Sequence, residues 1–174
     1  MRLVFGALLG VSCAPAEPPS WPEGGAPLAI LPARWQRGDA DAIEIRADGA
    51  VIEDGSVLFV VDRAGRIVDE DYEPLAILLP DGRVVSNDRR LLGQIGVTNA
   101  APPWMSFAWL SVQPDGAVTV FDEQGDRQLA GRWSGCQAAA LRTCTLVSHL
   151  VFLRDFRPPP AVSFGIGVGV GIGF

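Results

Sequence analysis

Few side chains in this sequence of 174 residues could perform chemistry. A glycoside hydrolase needs a pair of carboxylates. The acidic residues that could supply one are Glu44, Glu53, Asp54, Asp69, Glu70 and Asp71. They fall at expected hairpin turns, where acidic side chains are ordinarily solvated and stabilise the turn. We therefore expect no enzyme and assign no catalytic residue, and a small secreted hydrolase using paired carboxylates is the alternative.

Other catalytic and metal-binding arrangements lack the partners that they need. His149 is the only histidine and lies inside the apolar run 145–153, which favours a buried structural role over a catalytic base. Ser134 does not have the flanking glycine spacing of a nucleophile elbow. One histidine and two cysteines do not form a zinc set, and the loop acids lack the spacing of a calcium loop. The sequence thus predicts neither a metal site nor a cofactor.

Three cysteines are present, at positions 13, 136 and 144. Cys136 and Cys144 form an even pair, which in an oxidising compartment predicts a disulfide. Across a continuous helix their sulfur atoms would lie about 12 Å apart, so the bond requires a turn or loop between them. The alternative is a helix that starts at Gln137 and leaves two buried free thiols.

The first thirteen residues have the order of parts of a secretory signal. Arg2 supplies a positive charge, residues 3–11 are apolar, and Ser12 precedes Cys13. The apolar run is too short to span a bilayer, which needs roughly 20 residues. The segment resembles the signal peptides of bacterial lipoproteins, although Gly10 stands where leucine is usual. The resemblance implies a lipid at Cys13, and the alternative is an ordinary signal peptide cut after Ala14 or Ala16.

This resemblance predicts where the protein is found and how its N-terminal part is organised. Residues 1–12 would be a removed signal peptide, and Cys13 would anchor the chain in the bacterial cell envelope, in the outer membrane facing the periplasm or the surface. Residues 13–34 are rich in proline, which predicts either an extended tether or an arm with Trp21 against the folded domain. The net charge of −6 argues against nucleic acid as a partner.

The body of the chain, residues 35–157, predicts an all-β domain. Asp48-Gly49, Asp81-Gly82 and Asp115-Gly116 each separate two short β-prone runs, with glycines 33 and 34 residues apart and a weaker copy at Gly65. Asp-Gly between apolar runs is the strongest short-range hairpin signal. Three such units are too few for a propeller. We therefore expect a small antiparallel sandwich or barrel, with residues 145–153 forming either a strand or a buried helix.

The C-terminal residues 158–174 consist of three prolines followed by an alternating segment. Its even positions are apolar and its odd positions are serine or glycine, which predicts a strand with one apolar and one bare face. The residues expected to bind a partner strand are Phe164, Ile166, Val168, Val170, Ile172 and Phe174. The segment resembles the final strand of bacterial outer-membrane β-barrels, which implies membrane insertion. Pairing within the domain's own sheet and strand addition to a partner or second copy are the alternatives.

Together these patterns predict an exported, lipid-anchored β-rich protein of the cell envelope. It would act as a binding or structural module through its sheet surface and its C-terminal strand. The expected partners are the membrane, through the lipid, and a protein partner or a second copy, through strand addition. A membrane-inserting oligomeric β-strand protein is a further alternative to this function.

Overall fold

The structure, a computed structural model, describes residues 16–122 and 124–155. In this part of the chain twelve strands form a closed antiparallel barrel in which each strand pairs with its neighbours in sequence and the first pairs with the last. The strands are β1 (Ala33–Arg37), β2 (Ala40–Ile45), β3 (Ala50–Glu53), β4 (Ser56–Val61), β5 (Arg66–Val68), β6 (Pro74–Leu78), β7 (Arg83–Ser86), β8 (Leu91–Ile95), β9 (Asn99–Ala101), β10 (Leu110–Val112), β11 (Ala117–Phe121) and β12 (Arg127–Ser134). The predicted all-β fold built from hairpins is confirmed, and of the two architectures expected it is the barrel.

Closure joins residues that are far apart in sequence. Arg34 pairs with Ser134 and Trp35 with Trp133 across the β1–β12 contact. After β12, a short 3-10 turn (Ala138–Ala140) leads into the helix α1 (Leu141–Asp155). The run 145–153, which the sequence left open between strand and helix, therefore lies in α1. Among the described residues, no helix has the length and apolar character needed to cross a membrane.

The alternation of hairpins gives the barrel two distinct ends. One end carries the turns β2–β3, β4–β5, β6–β7, β8–β9 and β10–β11 together with the link from β12 to α1. We call it the disulfide end because Cys136 and Cys144 lie there. The other end carries the loops β1–β2, β3–β4, β5–β6, β7–β8, β9–β10 and β11–β12. We call it the aromatic end, for the exposed aromatic residues on its loops.

One hydrogen bond recurs along the disulfide end. The carbonyl of Gly49 accepts a bond from the amide of Val61 at 3.0 Å, and the same bond joins Gly65 to Leu78 at 2.8 Å. The remaining acceptor and donor pairs are Gly82 with Ile95, Thr98 with Val112, and Gly116 with Trp133. Each turn is thereby bonded to a strand of the next hairpin. The repeat is a single hairpin, about half of the 33-residue spacing seen in the sequence, with Thr98 in place of the missing glycine.

The helix α1 lies inside the barrel. All residues from Thr143 to His149 are buried, which is two turns of helix without an exposed side. Only a helix surrounded by other elements shows this pattern. Its side chains reach different walls, since Ser148 accepts a hydrogen bond from Trp133 of β12 at 2.9 Å and Arg154 is ion-paired with Glu53 of β3 at 2.7 Å. The helix enters at the disulfide end and runs about 22 Å to the aromatic end.

The described part of the proline-rich segment packs across the disulfide end. Ala26, Leu28 and Ile30 are buried. The amide of Ala26 donates to the carbonyl of Leu78 at 2.7 Å, and the Thr143 hydroxyl of α1 donates to the carbonyl of Ala29 at 2.8 Å. Residues 24–30 are therefore part of the folded body. Alternating apolar residues in this stretch provide the buried face that holds it down.

Cys136 and Cys144 are paired as a disulfide, with Cα atoms 6.3 Å apart. Cys136 precedes the 3-10 turn and Cys144 lies in the first turn of α1, so the chain between them is not one continuous helix. The bond and the helix, which the sequence presented as alternatives, therefore coexist. The disulfide fixes the N-terminal turn of α1 to the end of β12.

Candidate functional site

The interior of the barrel holds a cluster of aromatic side chains. Trp35 of β1 stacks on Trp133 of β12 with ring centroids 5.5 Å apart. Phe152 of α1 packs edge-on against Trp35 at 5.4 Å and against Trp109, just before β10, at 6.3 Å. These rings are spread over a hundred residues of sequence and fill the space between the helix and the wall. Their role is packing, since large aromatic rings dominate the burial energy of such cores.

His149 belongs to this interior and both of its ring nitrogens are engaged. Nδ1 accepts a hydrogen bond from the indole N–H of Trp109, and Nε2 donates to the carbonyl of Leu92, each at 3.0 Å. Burial lowers the pKa of His149 to about 4, against a smaller opposing effect of the bond to Leu92. The imidazole is therefore neutral near pH 7 and serves as a polar link between α1, β8 and β10. This geometry supports the structural role that the sequence favoured.

Gly93 of β8 provides the room for this histidine. A Cβ atom at this position would lie 2.6 Å from Cε1 of the imidazole. Any other residue would force the ring away from Leu92 and Trp109. The apparent weak point of the strand, a glycine in its centre, is thus a site of close approach to α1.

The acidic residues at the turns bond to their own backbones. The Oδ1 atom of Asp62 accepts hydrogen bonds from the amides of Ala64 and Arg66 at 2.8 and 2.9 Å, and Asp69 accepts from Asp71 and Glu73. The same arrangement is found at Asp48, Asp81, Asp115 and Asp122. Backbone and guanidinium donors of Arg83 lower the pKa of Asp81, and those of Ala117 and Arg132 lower that of Asp115. Carboxylates held this way stabilise the turns.

Two of the three glutamates among the possible catalytic acids, Glu44 and Glu53, are ion-paired. Glu44 on β2 pairs with Arg34 on β1, and Glu53 on β3 pairs with both Arg37 and Arg154. Glu44 lies beside a shallow open depression of about 520 Å³ on the outer wall. Within residues 16–122 and 124–155, no three histidine, cysteine or acidic side chains are close enough together to hold a metal ion. These glutamates link strands and the end of α1. Glu44 also lines a second depression, of about 350 Å³, together with Asp41 and Asp54.

The aromatic end exposes apolar side chains on the loop between β9 and β10. We define the aromatic patch as Leu91, Trp104 and Phe107, whose exposed fractions are 43%, 48% and 43%. Trp104 packs edge-on against Trp109 at 6.0 Å, so the loop rests on the aromatic interior. Tyr72, on the β5–β6 loop at the same end, is 75% exposed. Clustered exposed apolar side chains of this kind mark interaction surfaces.

This surface was not identified from the sequence. The signal available was the run Pro102-Pro-Trp-Met-Ser-Phe-Ala108, which carries no charge and yet contains two prolines that make a loop. In a strand, alternate side chains face the core, but a loop has no such alternation. The aromatic side chains of this loop therefore either pack against the interior or remain exposed. Leu91 joins the patch because β8 runs antiparallel to β9 and begins where β9 ends.

The lipid-attachment and partner-binding residues expected from the sequence lie outside the described residues. These are Cys13 and the alternating residues Phe164, Ile166, Val168, Val170, Ile172 and Phe174. What the structure gives is the place from which each segment leaves the body. The N-terminal segment leaves at the disulfide end, where the carbonyls of Trp21 and Pro22 accept bonds from Arg66, and the C-terminal segment leaves after Asp155 at the aromatic end.

No protein-family model, no curated protein and no solved structure matches this chain.

Proposed function

We propose that the protein is an exported, lipid-anchored envelope module that presents its aromatic end and C-terminal segment to a protein partner. The observation that carries this proposal is the position of its two terminal segments at opposite ends of the barrel. The N-terminal arm is bonded to the β4–β5 turn at the disulfide end. The helix carries the C-terminal segment about 22 Å away to the aromatic end.

An anchor at Cys13 would set the orientation of the barrel. Only residues 14–20 separate Cys13 from Trp21, whose carbonyl is bonded to Arg66, and a chain of this length reaches about 25 Å at most. The lipid would therefore hold the disulfide end toward the membrane and direct the aromatic end away from it. Stable anchoring requires more than one acyl chain, as in the lipoproteins that the signal resembles.

Binding is favoured over hydrolysis by the state of the carboxylates. Of the acids that could form a catalytic pair, Asp69 accepts hydrogen bonds from turn amides, and Glu44 and Glu53 are ion-paired with arginines. A hydrolase needs one carboxyl group with a raised pKa beside an ionised one. The resolved shifts of aspartate pKa values among the described residues are all downward. The aromatic patch, in contrast, is an exposed apolar surface without an assigned use.

The anchor is tested by intact mass and membrane fractionation of the protein from a bacterial host, beside Cys13→Ala. We expect the wild type to begin at Cys13, to carry added acyl mass and to sediment with membranes. We expect Cys13→Ala to lack the acyl mass and the membrane association. A wild type that is cut elsewhere and soluble would reject the lipid anchor.

The orientation is tested with a matched pair of exposed alanines. Ala47 lies on the β2–β3 turn at the disulfide end, and Ala40 begins β2 at the aromatic end. A fluorophore on Ala47→Cys should be quenched by a quencher linked to lipid headgroups, whereas one on Ala40→Cys should not. Equal quenching at the two positions would contradict the proposed orientation.

A further inference from the structure

The aromatic patch lies directly beside the point where the described chain ends. Phe152, in the last turn of α1, contacts Trp109, and Trp109 contacts Trp104 of the patch. Arg154 is ion-paired with Glu53 at the same end. Only the ring of Trp109 therefore separates Phe152, three residues before the end of the described helix, from Trp104 of the patch. Pro158, Pro159 and Pro160 have no backbone N–H and disfavour continuation of a helix.

The barrel itself offers no edge to a further strand. Every described strand is paired on both sides, including β1 with β12. Closure of this kind removes the free backbone donors and acceptors on which an added strand would pair. The C-terminal segment could join the sheet only by displacing a strand. Pairing within the domain's own sheet, one of the alternatives for this segment, is therefore unfavourable.

The segment and the patch are chemically matched. Residues 162–174 carry no charged side chain and present valine, isoleucine and phenylalanine at every even position. The loop 102–108, which bears most of the patch, also carries no charge. Contact between the two would remove apolar surface from water, at about 25 cal/mol per Å², and neither the segment nor the loop would contribute an ionised side chain to it.

We propose that the aromatic patch is the docking site of the chain's own C-terminal segment, residues 162–174. The apolar even positions pack on Trp104 and Phe107, and the glycine positions face outward. The link 156–161 spans up to about 20 Å, which is enough to bring residue 162 over the patch. A link this short gives an effective concentration in the millimolar range, which favours the segment of the same chain over that of a second copy.

This inference deepens the proposed function, because the docked segment is then the binding strand in its unengaged state. The partner of the proposed function would compete with the patch for the apolar face of the segment. Docking also covers a segment that is uncharged and free of proline, and such a segment is an aggregation hazard when exposed. Docking in the isolated protein does not require a lipid or a partner, so it can fail or succeed independently of them.

The test is photo-crosslinking in the full chain, with Phe107 replaced by p-benzoylphenylalanine. The control places the same group at Val97, which is also exposed but lies at the disulfide end. Irradiation followed by digestion and mass spectrometry should show peptides of residues 162–174 joined to position 107. We expect a yield at least about tenfold above that from position 97, given the high effective concentration. A yield equal to that from position 97 would overturn the proposal.

Mixing isotope-labelled and unlabelled protein before irradiation identifies the source of the segment. Cross-links within one isotopic form support docking in the same chain, and cross-links between the two forms overturn it in favour of a second copy.

The double variants Ile166→Asp/Val168→Asp and Gly165→Ser/Gly167→Ser test whether the apolar face of the segment makes the contact. The aspartate pair should lose the cross-link and the serine pair should keep it, whereas equal yields would reject the apolar face as the contact. Loss of acylation in Cys13→Ala leaves all these results unchanged.

Discussion

The two ends of the barrel use similar turns but differ in what the turns pack against. At the disulfide end, Gly49, Gly82 and Gly116 have φ near +90°, and a Cβ atom at each would collide with the strand behind it. At the aromatic end, Gly38 and Gly55 also have positive φ, and nothing lies within 4 Å of where their Cβ atoms would be. The glycines at both ends thus adopt positive φ, but only those at the disulfide end are packed closely against a neighbouring strand. The disulfide end is a structural closure, and the aromatic end has loops that are free to carry function.

The largest expected effect tests this difference at matched glycines. Gly116→Ala must adopt a left-handed conformation and also displace the carbonyl of Trp133, so we expect a loss of about 3–4 kcal/mol in unfolding free energy. Gly55→Ala has the same conformational cost without the collision, so we expect a loss of about 1 kcal/mol. Urea unfolding of both variants measures the gap. Similar losses in the two variants would remove the distinction between the ends.

The second prediction concerns the histidine that links α1 to the strands near the aromatic end. The pKa of His149 is lowered to about 4 in the folded protein, from an ordinary 6.5. The neutral form is favoured by folding, so its stabilisation is fully present above pH 6.5 and is lost as the pH falls from 6.5 toward 4. We expect a decrease of about 3 kcal/mol over this range, at 1.36 kcal/mol for each pKa unit.

Chemical denaturation at a series of pH values measures this decrease. His149→Gln keeps a donor and an acceptor without a titrating group and serves as the control. Because His149 is the only histidine, the variant should keep only the smaller loss that arises from the turn aspartates as the pH approaches 4. If the variant retains the full pH dependence of the wild type, the link through His149 is not the cause.

The third prediction concerns the bond that fixes α1 at the opposite end. Replacing Cys136 and Cys144 together by alanine opens a loop with a sequence separation of 8 residues. Loop-closure entropy gives an expected loss of about 2–3 kcal/mol. Hydrogen exchange should accelerate in the first turn of α1 more than around His149. Uniform acceleration along the helix would show that the disulfide stabilises the whole helix and not one end.

The smallest effect is expected at the aromatic patch. Phe107→Ser removes exposed apolar surface, and we expect it to change unfolding free energy by less than about 0.5 kcal/mol. Stability measured beside the docking assay separates the two roles of this loop. A loss of more than about 2 kcal/mol would assign the loop to the core and weaken its description as a binding surface.

The local hairpins were predictable from the sequence because each turn depends on the types of a few adjacent residues. Asp48-Gly49, Asp81-Gly82 and Asp115-Gly116 all form the turns that their types require. The position of α1 was not predictable, since a helix buried on all sides has no apolar stripe to give it a period. Thr98 was missed because it takes the place of a glycine in the repeated turn without resembling one.

The candidate site was predicted only in part, because its residues are far apart in the sequence. The neutral structural role of His149 followed from its apolar neighbours. Its partners Leu92 and Trp109 are 57 and 40 residues away in sequence, and no local pattern connects them. The closure of β1 on β12, which leaves the C-terminal segment without an edge to join, is likewise a contact between residues a hundred positions apart.

The contact between β1 and β12 also determines the order in which the molecule can be completed. The first strand must wait for the last, and α1, which fills the interior, follows the last strand in the chain. The wall therefore cannot close around its contents until nearly all of the described chain is available. Folding that depends on such distant contacts is slow, because their loop-closure entropy is lost before they form. The described part of the chain therefore stays incompletely folded until α1 has been added to it.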